Sequence, residues 1–353
     1  MSYTTLAPTD FVVSSDSVIA PAWPSGLPTL TAIYTSSIAQ SPAGQFYLDI
    51  YNSAQTGSTA QRVFSIAYGN VLGSGSRLYN PLVTNMSPSR TTYGQYRNLV
   101  YADETKLFNF SNSGSDSNDI LVINIDRNMY KESMFPGTLQ LKLQQIGSPS
   151  NVITITDDSK DVWNSNLPIN YQDCGRVFNL VGGSYGTATT VIGGSSKVGY
   201  TASGSYGYFL PDIATIILNP AALALPFVSG GIAMSMDTTT TLSTPSSSVN
   251  NSRLYNAING GACFQLNSQE TISANYVFIR VGNQEYNYSN NPSFLSGSSG
   301  QLIYPTLVNS PQTYPTTVGL YNNNGDLLAV AKMSKPLMKD FTHEMLIRCK
   351  LDW

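Results

Sequence analysis

Met345-Leu-Ile-Arg-Cys-Lys-Leu-Asp-Trp353 sets the reading of this chain. Its odd positions, Met345, Ile347, Cys349, Leu351 and Trp353, are apolar, while Arg348, Lys350 and Asp352 fall between them. Successive side chains of an extended backbone point to opposite faces, so a period of two predicts a strand with one face covered. The same pattern recurs outward from this end. Val318–Tyr321 and Leu327–Lys332 flank Asn322-Asn-Asn-Gly325-Asp326, whose Asn and Gly tolerate the positive φ of a tight loop, which predicts a hairpin. A second hairpin is expected where Phe46, Leu48 and Ile50 precede Phe64, Ile66 and Tyr68 across a Gln-Thr-Gly-Ser-Thr loop.

In the middle of the chain, Leu121, Ile123 and Ile125 and then Leu139, Leu141 and Leu143 alternate with polar residues, with the turn dipeptide Pro136-Gly137 between the two runs. These runs are expected to pair. Ile153 and Ile155 lead into Asp157-Asp158-Ser159, so residues 120–158 read as a meander. Asp212–Asn219 is a nearly continuous apolar run ending at Pro220, as for a strand buried on both faces. Helix is expected only at Ser89–Val100, with Tyr93, Tyr96 and Val100 on one face, and at Asn251–Asn259, stopped by Gly260-Gly261.

The Gly/Ser/Thr-rich interval 182–208 reads as loop or an irregular ribbon and as a module boundary, and Asp237–Asn251 as a linker. The expected fold is therefore mainly β, with several modules of antiparallel, sandwich-like sheets, long loops and a few short helices. Its modules are residues 1–165 with an extended N-terminal arm, a middle segment 166–250 with one buried strand, and a C-terminal β module 251–353. The interval 182–208 and residues 1–30, with Pro21, Pro24 and Pro28, are expected to be ordered only by neighbouring chains.

Of the 353 residues, 11% are charged against a usual ~25%, while 41% are hydrophobic, so the polarity comes from Ser, Thr, Asn, Gln and Gly. Such a surface can be desolvated against neighbours without burying many charges, which suits permanent assembly. A net charge of −3 with 18 scattered Lys+Arg offers no grip on a phosphate backbone, so no nucleic acid partner is expected. Cys174, Cys263 and Cys349 are odd in number and widely spaced, reading as three buried thiols and neither a disulfide framework nor a zinc site. No signal peptide and no long apolar span is read, so a soluble chain made in a reducing cytoplasm, without a membrane partner, is expected.

Gly182-Gly183-Ser184-Tyr185-Gly186 matches the G-x-S-x-G elbow of hydrolases, and the single histidine, His343, follows in the required order. The residues after Gly186 are poor helix formers, however, and the elbow needs a helix there. One histidine also leaves little for acid/base work or metal ligation, and Thr342 and Glu344 place it on an exposed edge before the last strand. Asp157-Asp158 and Asp116/Asp119 read as turn formers, since no cation-loop spacing surrounds them. Gly73-Ser-Gly75-Ser lacks the spacing and the Lys of a phosphate loop. No catalytic residue, metal or cofactor is expected.

The 22 tyrosines divide between core or cross-strand positions and loop positions that can anchor an interface. Tyr185, Tyr206 and Tyr208 in the Gly-rich interval, and Tyr286 and Tyr288 near a loop, are the interface candidates.

Several strings carry a resemblance. They are Tyr286-Asn-Tyr-Ser-Asn-Asn-Pro-Ser-Phe294, Thr316-Thr-Val-Gly-Leu-Tyr-Asn322, Leu327-Leu-Ala-Val-Ala-Lys-Met-Ser-Lys-Pro336 and the closing basic strand. Ala67-Tyr-Gly69 with Gly73-Ser-Gly75, Gln95-Tyr-Arg97-Asn98, Val122–Arg127 with Tyr130-Lys131, and Pro211-Asp212 through Leu218-Asn-Pro220 add to them. In this order they resemble virion structural proteins of large contractile-tailed phages, including phages of marine cyanobacteria. The resemblance implies a non-enzymatic virion subunit of the baseplate (wedge) or tail, assembled in the host cytoplasm. Its expected partners are other virion proteins and symmetry copies of itself. The alternatives are a host-receptor or glycan-binding tail module and a neck or head-surface protein.

Overall fold

The computed structural model describes residues 3–35, 47–54, 57–73, 89–110, 116–164, 170–172, 174–189, 197–238, 246–297 and 299–352. In chain order the strands are β1 (Phe11–Pro21), β2 (Thr29–Leu30), β3 (Tyr34–Thr35), β4 (Tyr47–Tyr51), β5 (Arg62–Asn70), β6 (Asp119–Ile125), β7 (Ser133–Met134), β8 (Gln140–Gln144), β9 (Val152–Asp157), β10 (Asn170–Gln172), β11 (Gly175–Ser184), β12 (Thr187–Ala188), β13 (Gly207–Leu210), β14 (Thr215–Leu218), β15 (Phe264–Gln265), β16 (Asn267–Val281), β17 (Leu295–Ser296), β18 (Gln301–Leu302), β19 (Thr317–Tyr321), β20 (Leu327–Lys332) and β21 (Met345–Asp352). The helices are α1 (Ser89–Tyr101), α2 (Ser159–Asn164), α3 (Pro220–Leu223), α4 (Ser246–Gly261) and α5 (Thr306–Asn309). The protein is mainly β, its sheets antiparallel and its helices few.

The chain forms two compact units, one of Val18–Glu270 and one of Met1–Ser17 with Thr271–Trp353. The divisions expected at residues 165 and 250 are not where the structure divides. The Gly-rich interval is the reason: β11 and β13 are neighbours inside one sheet, and β11 also pairs β9. Gly207 lies where a Cβ would meet the Ile217 carbonyl oxygen at 1.8 Å, so this glycine permits close strand approach and marks no boundary.

In the larger unit a 13-stranded sheet runs in the order β2-β15-β8-β9-β11-β13-β14-β6-β5-β4-β3, with β10 and β12 added on β11. Its two end strands are joined by only three residues, Thr31, Ala32 and Ile33, and three residues span about 10 Å at most. The sheet must therefore curl until its ends approach. Trp23 marks that meeting, with its ring 4.9 Å from Phe264 on β15 and 6.4 Å from Phe64 on β5, and its Nε1 donating to the Phe264 carbonyl at 2.8 Å. Residues 18–30 are thus built into the fold. The expectation of an arm ordered only by neighbours fails because Trp23 is a core residue.

The curled sheet carries apolar residues on both faces. On β6, Leu121, Ile123 and Ile125 join the main core, while Ile120 and Val122 join a second cluster with Tyr93, Tyr96 and Val100 of α1. β14 divides likewise, with Ile216 and Leu218 on one side and Ile217 on the other, as its unbroken apolar sequence requires. Fully burying each such side chain contributes roughly 1.5–3 kcal/mol, so these central strands are the most strongly held part of the molecule. The expected pairing of the 121–125 and 139–143 runs does not occur. β6 lies between β14 and β5, and β8 pairs β9 and β15, so only the β8–β9 part of the meander is real.

α1 forms where the tyrosine spacing predicts it, and Tyr93, Tyr96 and Val100 are buried. α4 is longer than expected and continues through Gly260 and Gly261. A Cβ at Gly261 would meet the Lys142 carbonyl oxygen at 2.0 Å, so these glycines bring the helix onto β8, and the left-handed stop falls on Ala262 at φ 48°. The linker expected at 237–251 therefore overlaps this helix, and its residues 239–245, like Phe46 and Gly75, lie outside the described residues.

In the smaller unit β21 pairs β16 over eight residues, from Ala274↔Asp352 to Val281↔Met345. The period of two holds there: Met345 and Cys349 are buried, Ile347 and Leu351 half-buried, and Leu346, Arg348, Lys350 and Asp352 exposed. β19 and β20 form the expected hairpin, with a bulge between Leu320 and Tyr321, as β4 and β5 do in the larger unit.

Candidate functional site

The five tyrosine candidates separate by burial. Tyr206 is 1% exposed in the main core, and its hydroxyl donates to the Gly230 carbonyl at 2.6 Å. Burial pushes this phenol up to about 12, so it remains a neutral donor. Tyr208 packs against the second cluster, with its hydroxyl donating to the Asn109 carbonyl at 2.7 Å, and burial raises its pKa as well. Neither ring is available to a partner, so both are removed as interface candidates. They sit on or beside β13, an interior strand, which the surrounding glycines disguised as loop.

Tyr185, Tyr286 and Tyr288 are exposed. Tyr185 is the first residue of a two-residue turn between β11 and β12, with Tyr185 at φ 52° and Gly186 at φ 81°, the two positive values that a twisted hairpin requires. Tyr286 also has a positive φ, 55°, and its hydroxyl lies 3.0 Å from Thr4 Oγ1. Tyr288 is 63% exposed and meets Phe294 edge to face.

Tyr286 and Tyr288 belong to a larger apolar surface on the smaller unit. Among the described residues this unit buries five hydrophobic side chains, Ala274, Val277, Val281, Met345 and Cys349, against forty-seven in the other. Yet it carries eighteen of the exposed large hydrophobics, against eleven. The densest part is the β19–β20 hairpin, a two-stranded sheet exposing Tyr321, Leu327, Leu328 and Val330, followed by Leu337, Met338 and Phe341. A free two-stranded hairpin is marginal in water, and apolar exposure on this scale marks surfaces that other chains cover. The run Leu327-Leu-Ala-Val-Ala reads as strand in the sequence, but the exposure of Leu327, Leu328 and Val330 becomes visible only in three dimensions.

What orders the loops of this unit is a buried ammonium. Lys339 is fully buried, and its Nζ donates to the Asn283 carbonyl at 3.0 Å, to Asn287 Oδ1 at 2.8 Å and to the Asp340 carbonyl at 2.7 Å. All three donors of the group are used, which ties 283–287 to 339–340. Nothing in the sequence around Lys339 distinguishes it from a surface lysine.

Ser184 ends a strand whose chain turns back into β12, so the strand-to-helix geometry of a nucleophile elbow does not form. His343 is exposed, with Nδ1 2.6 Å from Asp340 Oδ1. Thr342 first and His343 second, both hydrogen-bonded to Asp340, hold that carboxyl down at about 2. Asp157 and Asp158 turn their oxygens to N–H donors of Gly137, Ser159 and Asn179, as turn carboxylates do. Asp116 accepts from Asn109 Nδ2 at 3.1 Å, and burial raises the pKa of Asp119.

Among the described residues no three His, Cys, Asp or Glu side chains converge for a metal ion, and no helix is long and apolar enough to cross a membrane. None of the three cysteines forms a disulfide; Cys174 and Cys349 are buried, but Cys263 is half-exposed, contrary to expectation. Burial raises the pKa of both Cys263 and Cys349, which disfavours the reactive thiolate. Comparison with protein-family models, with curated proteins and with solved structures gives no match in any of the three.

Proposed function

We propose that this chain is a structural, non-catalytic subunit of a tailed-phage particle, located in its baseplate or tail and acting by joining other virion proteins and symmetry copies of itself. The observation that carries the reading is the imbalance among the described residues of the smaller unit: few hydrophobics inside, many outside, and a two-stranded hairpin whose outer side chains Leu328 and Val330 are exposed. A folded unit that leaves so much apolar surface wet gains stability when another chain covers it, and a surface poor in charge lets this happen without a large desolvation cost. The larger unit carries two apolar clusters on a continuous sheet. The phage assignment itself rests on the resemblance of the strings from Ala67 to the closing strand.

The experiment is a side-chain-resolution reconstruction of particles produced from the genome that carries this gene. The reading requires the chain at stoichiometric, symmetry-related positions, with the β19–β20 hairpin against a neighbour. Its absence from the particle ends the proposal. A second reading, a glycan-binding tail module, draws on exposed Tyr288, Tyr304 and Tyr314, whose rings can stack on sugars. A glycan array separates the two, since the assembly reading expects no saturable binding.

A further inference from the structure

Phe11-Val-Val-Ser-Ser-Asp-Ser-Val-Ile-Ala-Pro21 forms β1, an outer strand of the sheet ordered β1-β16-β21. Among the described residues no strand pairs with its second edge. Phe11, Val12, Val13, Val18 and Ile19 are all exposed, and because neighbours in a strand point to opposite faces, β1 is apolar and uncovered on both. Long edges are usually blunted by devices such as a lysine or a proline within the strand. The other outer strand, β21, has that protection in the exposed Arg348 and Lys350. β1 has no basic residue, and its one proline falls at its end. The charge of its one carboxylate, Asp16, is met within the chain by Lys350 Nζ at 2.9 Å.

The order of residues along β1 says what such an edge fits. Counted outward from Ser15, the strand reads Ser14 and Asp16, Val13 and Ser17, Val12 and Val18, Phe11 and Ile19. A second β1 laid antiparallel, with its Ser15 opposite the first, therefore sets Val12 against Val18, Phe11 against Ile19 and Ser14 against Asp16, each pair occurring twice by symmetry. Aromatic and β-branched residues facing one another across strands are stabilising pairs. The serine hydroxyl opposite Asp16 can donate to its carboxylate, so no acid faces an acid directly. A two-fold pairing of this kind is closed, since it uses the free edge of both β1 strands, whereas β1 against β21 would continue head to tail into rings or filaments.

We infer that β1 is a self-association edge, along which two copies of this chain pair antiparallel about Ser15 and join their sheets across a two-fold axis. The inference rests on the reading of this chain as an assembly subunit and names one partner, a second copy, at a sheet other than that of the β19–β20 hairpin. The paired stretch, Phe11–Ile19, is short, so the dimer is weak in dilute solution and strengthened where neighbours hold two copies close together.

The test is sedimentation velocity of the purified full chain from micromolar to millimolar concentration, where a reversible monomer–dimer equilibrium is expected. Ser15→Lys and Ser15→Asp each set like charges opposite one another at the two-fold axis, and each is expected to weaken the dimer at least about tenfold. An equimolar mixture of the two variants sets Lys against Asp and is expected to restore dimer at wild-type strength or above. Ser15 is exposed, so both variants should keep the wild-type thermal midpoint. The pairing is overturned by a wild type that stays monomeric throughout, by a dimer indifferent to both variants, by a mixture no stronger than either variant alone, or by growth into open polymers. Those results would leave standing the assignment of the chain to a virion, which is decided separately by its presence in the particle.

Discussion

Lys339→Met removes the ammonium on which the loops of the smaller unit converge, while keeping nearly the same length and volume, so no large cavity opens. Three part-buried acceptors lose a charged donor, each at a cost of about 1–3 kcal/mol. Against this stands the desolvation of the ammonium, which the variant no longer requires and which offsets part of the loss. The balance is a destabilisation of about 3 kcal/mol, which at 1.4 kcal/mol per decade is roughly a hundredfold in a local opening equilibrium. Hydrogen exchange followed by mass spectrometry should show that acceleration in 282–291, around Thr313, whose N–H and carbonyl both bond Lys339, and in 337–343. The larger unit should be unchanged. If the variant exchanges within about 0.5 kcal/mol of the wild type in those segments, Lys339 is not their organiser, that value being the usual scatter of surface substitutions.

In the larger unit, Gly261→Ala would gain roughly 1 kcal/mol in an open helix, but here the new Cβ meets the Lys142 carbonyl oxygen at 2.0 Å, so a net loss of about 1–3 kcal/mol is expected in chemical denaturation. Tyr206→Phe leaves the Gly230 carbonyl without its donor and should cost about 1–2 kcal/mol by the same measurement, with no effect on assembly. Ser184→Ala should change neither stability beyond about 0.5 kcal/mol nor any ester hydrolysis by the purified chain, because the serine stands at a hairpin. The double variant Leu328→Ser/Val330→Ser should fold, improve solubility of the free chain and reduce its incorporation into particles; undiminished incorporation counts against the hairpin as a contact.

The hairpins and the closing strand were legible because each is settled locally, by alternation and by a turn such as Asn322–Asp326. The double burial of β14 was legible from its unbroken apolar run for the same reason. Sheet order was not, since β6 and β8 are close in sequence while four strands, β9, β11, β13 and β14, stand between them along the curled path. Glycine misled twice, at Gly207 and at Gly260-Gly261, where it permits close packing and not a loop or a stop. Of the interface candidates, Tyr206 and Tyr208 could not be distinguished from Tyr185 without the strand pairing that buries them. Lys339 and the exposed hairpin left no local pattern at all, because one depends on Asn283 and Asn287, more than fifty residues away, and the other on tertiary packing.

The most direct measurement is deuterium uptake of this chain inside the intact particle against the purified chain, over 317–332 and 337–346. Strong slowing of uptake there on incorporation, with little change in the central strands of the larger unit, is what an assembly surface requires. Equal uptake in both states, or a chain that never enters the particle, contradicts it.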